Sequence, residues 1–245
     1  MSDIAVMVSK ELKEFWKARG SLRSRLLSIA PLLVIFGICF PLQQREVWME
    51  APFLPGILLM WLPFALAGGR AADSFAGERE RHTLETLLAT RLSDRDIFLG
   101  KVLATVIYCG GVMWVCALLG LITLNVTKGV GPFFMYSPSA LALIVVGSTL
   151  LSLLMTAIGV LVSLKAASVR AAAQVFSLIT LVLFIGGPLV LQALPDSALA
   201  WLQQALLAAD LAAIGIVGAL IVLAVDIVLL ALGIARFQRT RLILA

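Results

Sequence analysis

One histidine, three cysteines and 13% charged residues are all that this 245-residue chain offers for polar chemistry. Ordinary soluble domains carry about a quarter charged residues, so the chain has too little charge to cover a water-facing surface or to hold itself disordered. The single histidine, His82, excludes an H-E-x-x-H metalloprotease site. Cys39, Cys109 and Cys116 lie in apolar stretches without metal-ligand spacing; Cys109 and Cys116, seven apart, share a helix face but sit too far along it to bridge. They read as small packing residues. A phosphate loop is also missing. The only Gly-Lys pair is Gly100-Lys101, with Arg95 at the required first glycine and Val102 at the Ser/Thr position. The chain therefore does not hydrolyse ATP itself.

Apolar residues make up 61% of the chain and the mean hydropathy is +1.06. This composition predicts an all-α integral membrane protein with no space for a soluble catalytic domain. At about 20 apolar residues per crossing, six spans are expected, near residues 23–42, 53–72, 97–124, 139–164, 171–193 and 209–235, in one transmembrane domain over 1–245. The first is too long, and lacks the terminal A-x-A site, to be a cleavable signal peptide. Before it, residues 2–19 alternate differently. Ile4, Val8, Leu12, Phe15 and Trp16 fall on one helical side, and Lys10, Lys13, Glu14 and Lys17 mostly opposite. This pattern fits an interfacial amphipathic helix, or a soluble helix docked on a partner.

The basic residues are segregated. Seventeen fall on one side of the predicted spans and only Arg45 and Lys128 on the other. The positive-inside rule then places both termini in the cytoplasm and requires an even number of spans. The net charge of +5 thus reflects topology and contact with an anionic lipid bilayer rather than nucleic-acid binding.

The densest charge lies between the second and third spans. There Leu84, Leu87 and Leu88 repeat at helical spacing and Leu92 extends the stripe, predicting an amphipathic helix over about 78–92. Glu78 and Glu80 near its start and Arg91 near its end suit the helix dipole. Ser93-x-x-Asp96 has the form of a capping box opening the next helix. Two roles remain open from the residues alone: packing under the chain's own bundle, or docking on another protein.

The run Gly77-Glu78-Arg79-Glu80-x-x-Thr83-Leu84-Glu85-x-Leu87-Leu88-Ala89-Thr90, with Leu99-Gly100-Lys101 following, resembles the cytoplasmic loop of ABC transporter permeases of the type-2 export family. Ser168-Val169-Arg170-x-Ala172-x-Gln174 and the basic end Arg236-Phe237-Gln238-Arg239 also resemble segments of that family, and residues 2–19 its elbow helix. Two positions depart: His82 stands where the family commonly has glycine, and Arg91 where it has proline. The resemblance implies a coupling helix docking on a separate ABC ATPase, with Glu78, Arg79, Glu80, Thr83, Leu84, Glu85, Leu87 and Leu88 as the interface. It implies two ATPase subunits, which carry the ATP and Mg, and a second permease copy or a homologous permease. No cofactor or metal is expected on this chain.

Two embedded acids, Asp210 and Asp226, fall on the same predicted span, 16 residues or about 24 Å apart, so they cannot form the facing pair of an intramembrane aspartyl protease. A mid-membrane carboxylate costs roughly 2.5–3.5 kcal/mol. Asp226 should therefore face the bundle interior, either in an interhelical hydrogen bond or in a cation or proton step of transport. Residues 195–207 are too apolar for an ordinary loop and too short to span. They read as an external re-entrant helix, as in the family, or an interfacial anchor at Trp201. The function expected is an exporter permease; the alternative is a non-transporting anchor that relays ATPase motion to an envelope partner.

Overall fold

The computed structural model describes residues 3–17, 22–50, 59, 62–127, 133–195, 197–199 and 211–237. Among these residues all regular secondary structure is helical, without strands. The elements in chain order are α1 (Asp3–Lys17), α2 (Leu22–Val34), a π-helical turn (Ile35–Cys39), α3 (Phe40–Gln43), α4 (Arg45–Glu50), α5 (Leu62–Glu80) and α6 (Leu84–Leu88). Then follow α7 (Asp94–Thr127), α8 (Pro138–Ala142), a second π-helical turn (Leu143–Gly147), α9 (Ser148–Lys165), α10 (Val169–Ala193) and α11 (Leu211–Arg236).

Among the described residues, three stretches are long and apolar enough to cross a membrane: Asp94–Thr127, Ala140–Lys165 and Gly215–Arg236. Ile29–Gln43 and Val169–Val182 are shorter apolar helices. Residues 53–58, in the second predicted span, and 200–207, in the predicted external helix, lie outside the described residues, as does Asp210.

Close helix contact rests on small residues, as expected where lipid removes the hydrophobic drive between helices. A Cβ on Gly159 of α9 would lie 2.4 Å from the Ala71 Cβ of α5. One turn further on, the Ser163 hydroxyl accepts from the Ala76 N–H at 2.9 Å and donates to the Ala72 carbonyl at 2.8 Å. These two groups are the donor and acceptor of one helical i→i−4 pair, so α9 is keyed into the backbone of α5. Apolar clusters fill both ends of the bundle. At the basic end, Met7, Phe75, Phe98, Val102, Val160 and Phe237 bring together α1, α5, α7, α9 and the end of α11. At the other, Trp48, Met113, Cys116, Tyr136 and Ile144 pack together, and the Tyr136 hydroxyl donates to the Ala117 carbonyl at 3.0 Å. Cys109 and Cys116 are buried and free, as packing residues should be.

The helix expected over 78–92 is divided. Residues 78–80 are the last turn of α5, and the short α6 is a separate element. The break has a local cause. The Thr83 N–H reaches back to the Glu78 carbonyl at 2.9 Å and the His82 N–H to the Arg79 carbonyl at 3.1 Å, a Schellman ending that puts its pivot residue in the left-handed region. That residue is His82, at φ 54°. A glycine there would avoid the Cβ clash, which explains physically why this is a glycine-favouring position. Ser93 then caps α7: the Asp96 N–H donates to the Ser93 hydroxyl at 3.2 Å, and that hydroxyl donates to the Asp96 carboxylate at 2.5 Å.

Candidate functional site: the charged end of the bundle

Gly77 through Arg81 close α5, and each side chain here has a defined task. The Asp73 carboxylate lies over Gly77, its Oδ1 2.0 Å from where a Cβ would stand. From there it takes both contacts of Arg81, at 2.6 and 2.8 Å. Any side chain at position 77 would displace that pair. Asp73 holds the Arg81 guanidinium above its ordinary pKa, chiefly through the hydrogen bond; burial opposes this, and the charge of Asp73 adds to the rise.

Glu78 is buried and points into the bundle. Its Oε1 accepts from Lys101 Nζ at 2.9 Å and from Lys10 Nζ at 3.3 Å, while Oε2 has no partner among the described residues. Lys101, on α7, is only 2% exposed, yet all three of its donors are used: on Glu78, on Glu11 of α1 at 2.8 Å, and on the Ser74 carbonyl at 2.9 Å. Its ammonium also lies 5.2 Å from the centre of the Phe75 ring. Lys10 joins this group to Glu14, at 3.4 Å. Burial pulls the Lys10 ammonium downward, but Glu78, Glu11 and Glu14 together raise it above its ordinary value. The carboxylates of Glu11, Glu14 and Glu78 come within 4.8 Å of one another, a spacing that suits a metal ion, but here the two ammonium groups supply the countercharge.

Arg79 and Glu80 turn the other way and close two more helices. Arg79 donates to the Ala166 and Leu164 carbonyls, at 2.5 and 3.1 Å, where α9 ends. Glu80 accepts from the Val169 N–H at 2.9 Å, where α10 begins. A cation thus meets a helix C-terminus and an anion a helix N-terminus, each with the sign that the helix dipole favours.

The leucine stripe faces inward. Leu84 and Leu87 are buried in the cluster with Met7, Phe98 and Phe237; the Leu88 side chain lies outside the described residues. Thr83, Glu85, Thr86 and Ala89 are exposed, together with Arg81 and His82. Of the expected interface residues, then, Glu78, Leu84 and Leu87 are covered by the chain itself, Arg79 and Glu80 hold helix ends, and Thr83 and Glu85 lie open. The sequence reading missed Glu11, Lys101 and Ser163. Lys101 carried a signal, being a lysine within a predicted span, and Glu11 sits one turn from Met7 on the face of α1 that packs inward.

Asp226 belongs to a different region. It is fully buried on α11, and among the described residues neither carboxylate oxygen has a hydrogen-bond partner. One helical turn further on, Leu230 packs against the apolar cluster that includes Val160 of α9. Thr156, also on α9, is buried, and among the described residues its hydroxyl has no partner.

No curated protein matches the chain. The family model described as ABC-2 family transporter protein matches residues 5–242. Nearly the whole chain, including the tied end of α5 and the embedded α7, α9 and α11, falls within that match, and the chain belongs to the ABC-2 transporter family.

Proposed function

We propose that the chain is the six-span permease subunit of an ATP-driven exporter, with both termini in the cytoplasm. It pairs with a second permease copy or a homologue and is driven by two ABC ATPase subunits that carry the ATP and Mg. The chain performs no ATP chemistry; its task is mechanical. The observation that carries this reading is the wiring of α6. Outward it presents Thr83, Glu85, Thr86 and Ala89. Inward, Leu84 and Leu87 join it to the core, and the adjoining Glu78, Arg79 and Glu80 tie the same corner to α1, α7, α9 and α10. A partner pressing on the open face would therefore move several helices as a unit.

In this reading the contact surface differs from the leucine stripe. Glu85 and Thr86 meet the ATPase, and Leu84, Leu87 and Glu78 transmit the push. Asp226, buried and without a partner among the described residues, is proposed as a polar group on the route of an ion or proton accompanying the cargo.

Mild-detergent capture of the full chain from its native membrane, followed by mass spectrometry, tests the docking. An ABC ATPase is expected with the unmodified chain, and Glu85→Arg/Thr86→Trp should reduce its recovery at least tenfold without changing the elution or melting temperature of the permease. Undiminished recovery with the double variant, or no ATPase with the unmodified chain, would overturn the assignment.

A further inference from the structure

Arg70 of α5 is held differently from Lys10, Lys101, Arg79 and Arg81. Its guanidinium carbon lies 4.7 Å from the centre of the Phe15 ring on α1 and 4.6 Å from that of Tyr108 on α7. The two rings meet edge to face, 5.7 Å apart. Lys10, Lys101, Arg79 and Arg81 all hold carboxylates or carbonyls. Arg70, by contrast, makes no hydrogen bond or ion pair among the described residues, and it is only half-buried. The flank beside it is open: a Cβ on Gly69 would meet nothing within 4 Å.

The depth of this group in the bilayer follows from helix length. At 1.5 Å per residue, the 34 residues of α7 extend about 51 Å, roughly 20 Å more than a hydrocarbon core. The surplus carries the charged start of α7 beyond the acyl chains and leaves Tyr108 within a turn or two of the headgroup boundary, where tyrosine is favoured. The contacts of α1 climb along α7 to the same level: Met7 against Gly100, Glu11 on Lys101, Phe15 on Tyr108. A guanidinium offers five donors in a plane. Aromatic rings engage its face by cation–π attraction and do not use up those donors. An unpaired cation at this depth is costly unless an anion completes it, and a planar donor fork matches two oxygens of a phosphate.

We infer that Arg70, clasped by Phe15 and Tyr108, is a binding site for a phosphate-bearing anion at the membrane surface, supplied by an anionic phospholipid headgroup. The occupant would pin α1 to α5 and α7 above the Lys101 cluster. A single site would be populated in the anionic membranes that basic segments already favour.

The full chain, purified in detergent, can be titrated with phosphatidylglycerol, phosphatidylcholine or inorganic phosphate and read by native mass spectrometry and melting temperature. One retained phosphatidylglycerol per chain and a raised melting temperature are expected, with at least tenfold weaker retention of phosphatidylcholine. Arg70→Gln should abolish the preference, and Arg70→Lys should weaken it several-fold because the planar fork is lost. Tyr108→Phe, which keeps the ring, should retain it. Should Arg70→Gln misfold, Arg70→Lys and Tyr108→Phe still decide. A raised melting temperature with inorganic phosphate alone would assign the site to the phosphate group and not to the lipid as the source. Equal retention of both lipids, or a preference that Arg70→Lys and Arg70→Gln leave unchanged, would overturn the site.

Discussion

Lys101 and Asp226 are both buried ionisable groups in long apolar helices, and the chain treats them in opposite ways. Around Lys101, α1 contributes Glu11 and α5 contributes Glu78 and the Ser74 carbonyl, so every donor of the ammonium is used. Around Asp226, the described residues offer neither carboxylate oxygen a partner. Burying a charge is costly unless good geometry returns the lost hydration. The first site meets that requirement within the fold and so acts as a clamp between α1, α5 and α7. The second leaves it unmet. A position that the fold does not complete is where a solute, proton or ion would find unsatisfied polar atoms.

The largest effect should come from breaking the clamp. Lys101→Met leaves two buried carboxylates with only the partly exposed Lys10 as countercharge and should cost about 3–5 kcal/mol, measured as a large drop in melting temperature in detergent. Adding Glu11→Gln and Glu78→Gln to the same variant should recover much of it. A small loss from Lys101→Met would mean that the cluster is not the structural joint.

Asp226 should behave in the contrary way. With no partner to lose, Asp226→Asn should change stability by less than about 1 kcal/mol, and Asp226→Leu should leave the midpoint unchanged or raise it, because an unsatisfied buried polar group costs about 1–3 kcal/mol. Transport in reconstituted vesicles should fall in both variants. Destabilisation on the scale of Lys101→Met would erase the distinction between the two sites.

The smallest effect concerns pH. The Lys10 ammonium is raised above its ordinary value by Glu78, Glu11 and Glu14 despite the opposing effect of burial. Its contribution is thus fully present below the ordinary lysine value of about 10.4. It is lost as pH climbs through the raised value. Melting curves between pH 9 and 12 should show a shallow decline that Lys10→Gln flattens. Lys10 is partly exposed, so solvent screening keeps the effect small.

The fold was legible wherever a pattern is one-dimensional. Apolar runs predicted the long apolar helices α7, α9 and α11 near their observed places, Ser93-x-x-Asp96 marked the start of α7, and the lone cysteines read as packing. The helix predicted over 78–92 was harder to place, because the left-handed turn at His82 interrupts it and nothing about a histidine signals such a turn. The stripe of Leu84 and Leu87 was correctly found, but amphipathicity says only that a face is covered, not by what.

By itself, then, the sequence determined that this is a helical membrane protein, because hydropathy and charge segregation are properties of the chain in order. Only the tertiary structure decided the tasks of Gly77 to Arg81. Glu78 finds Lys101 across 23 positions, Arg79 finds Ala166 across 87 and Glu80 finds Val169 across 89. A charge in the sequence carries its sign but not its partner, and pairing across such distances is fixed only when helices pack.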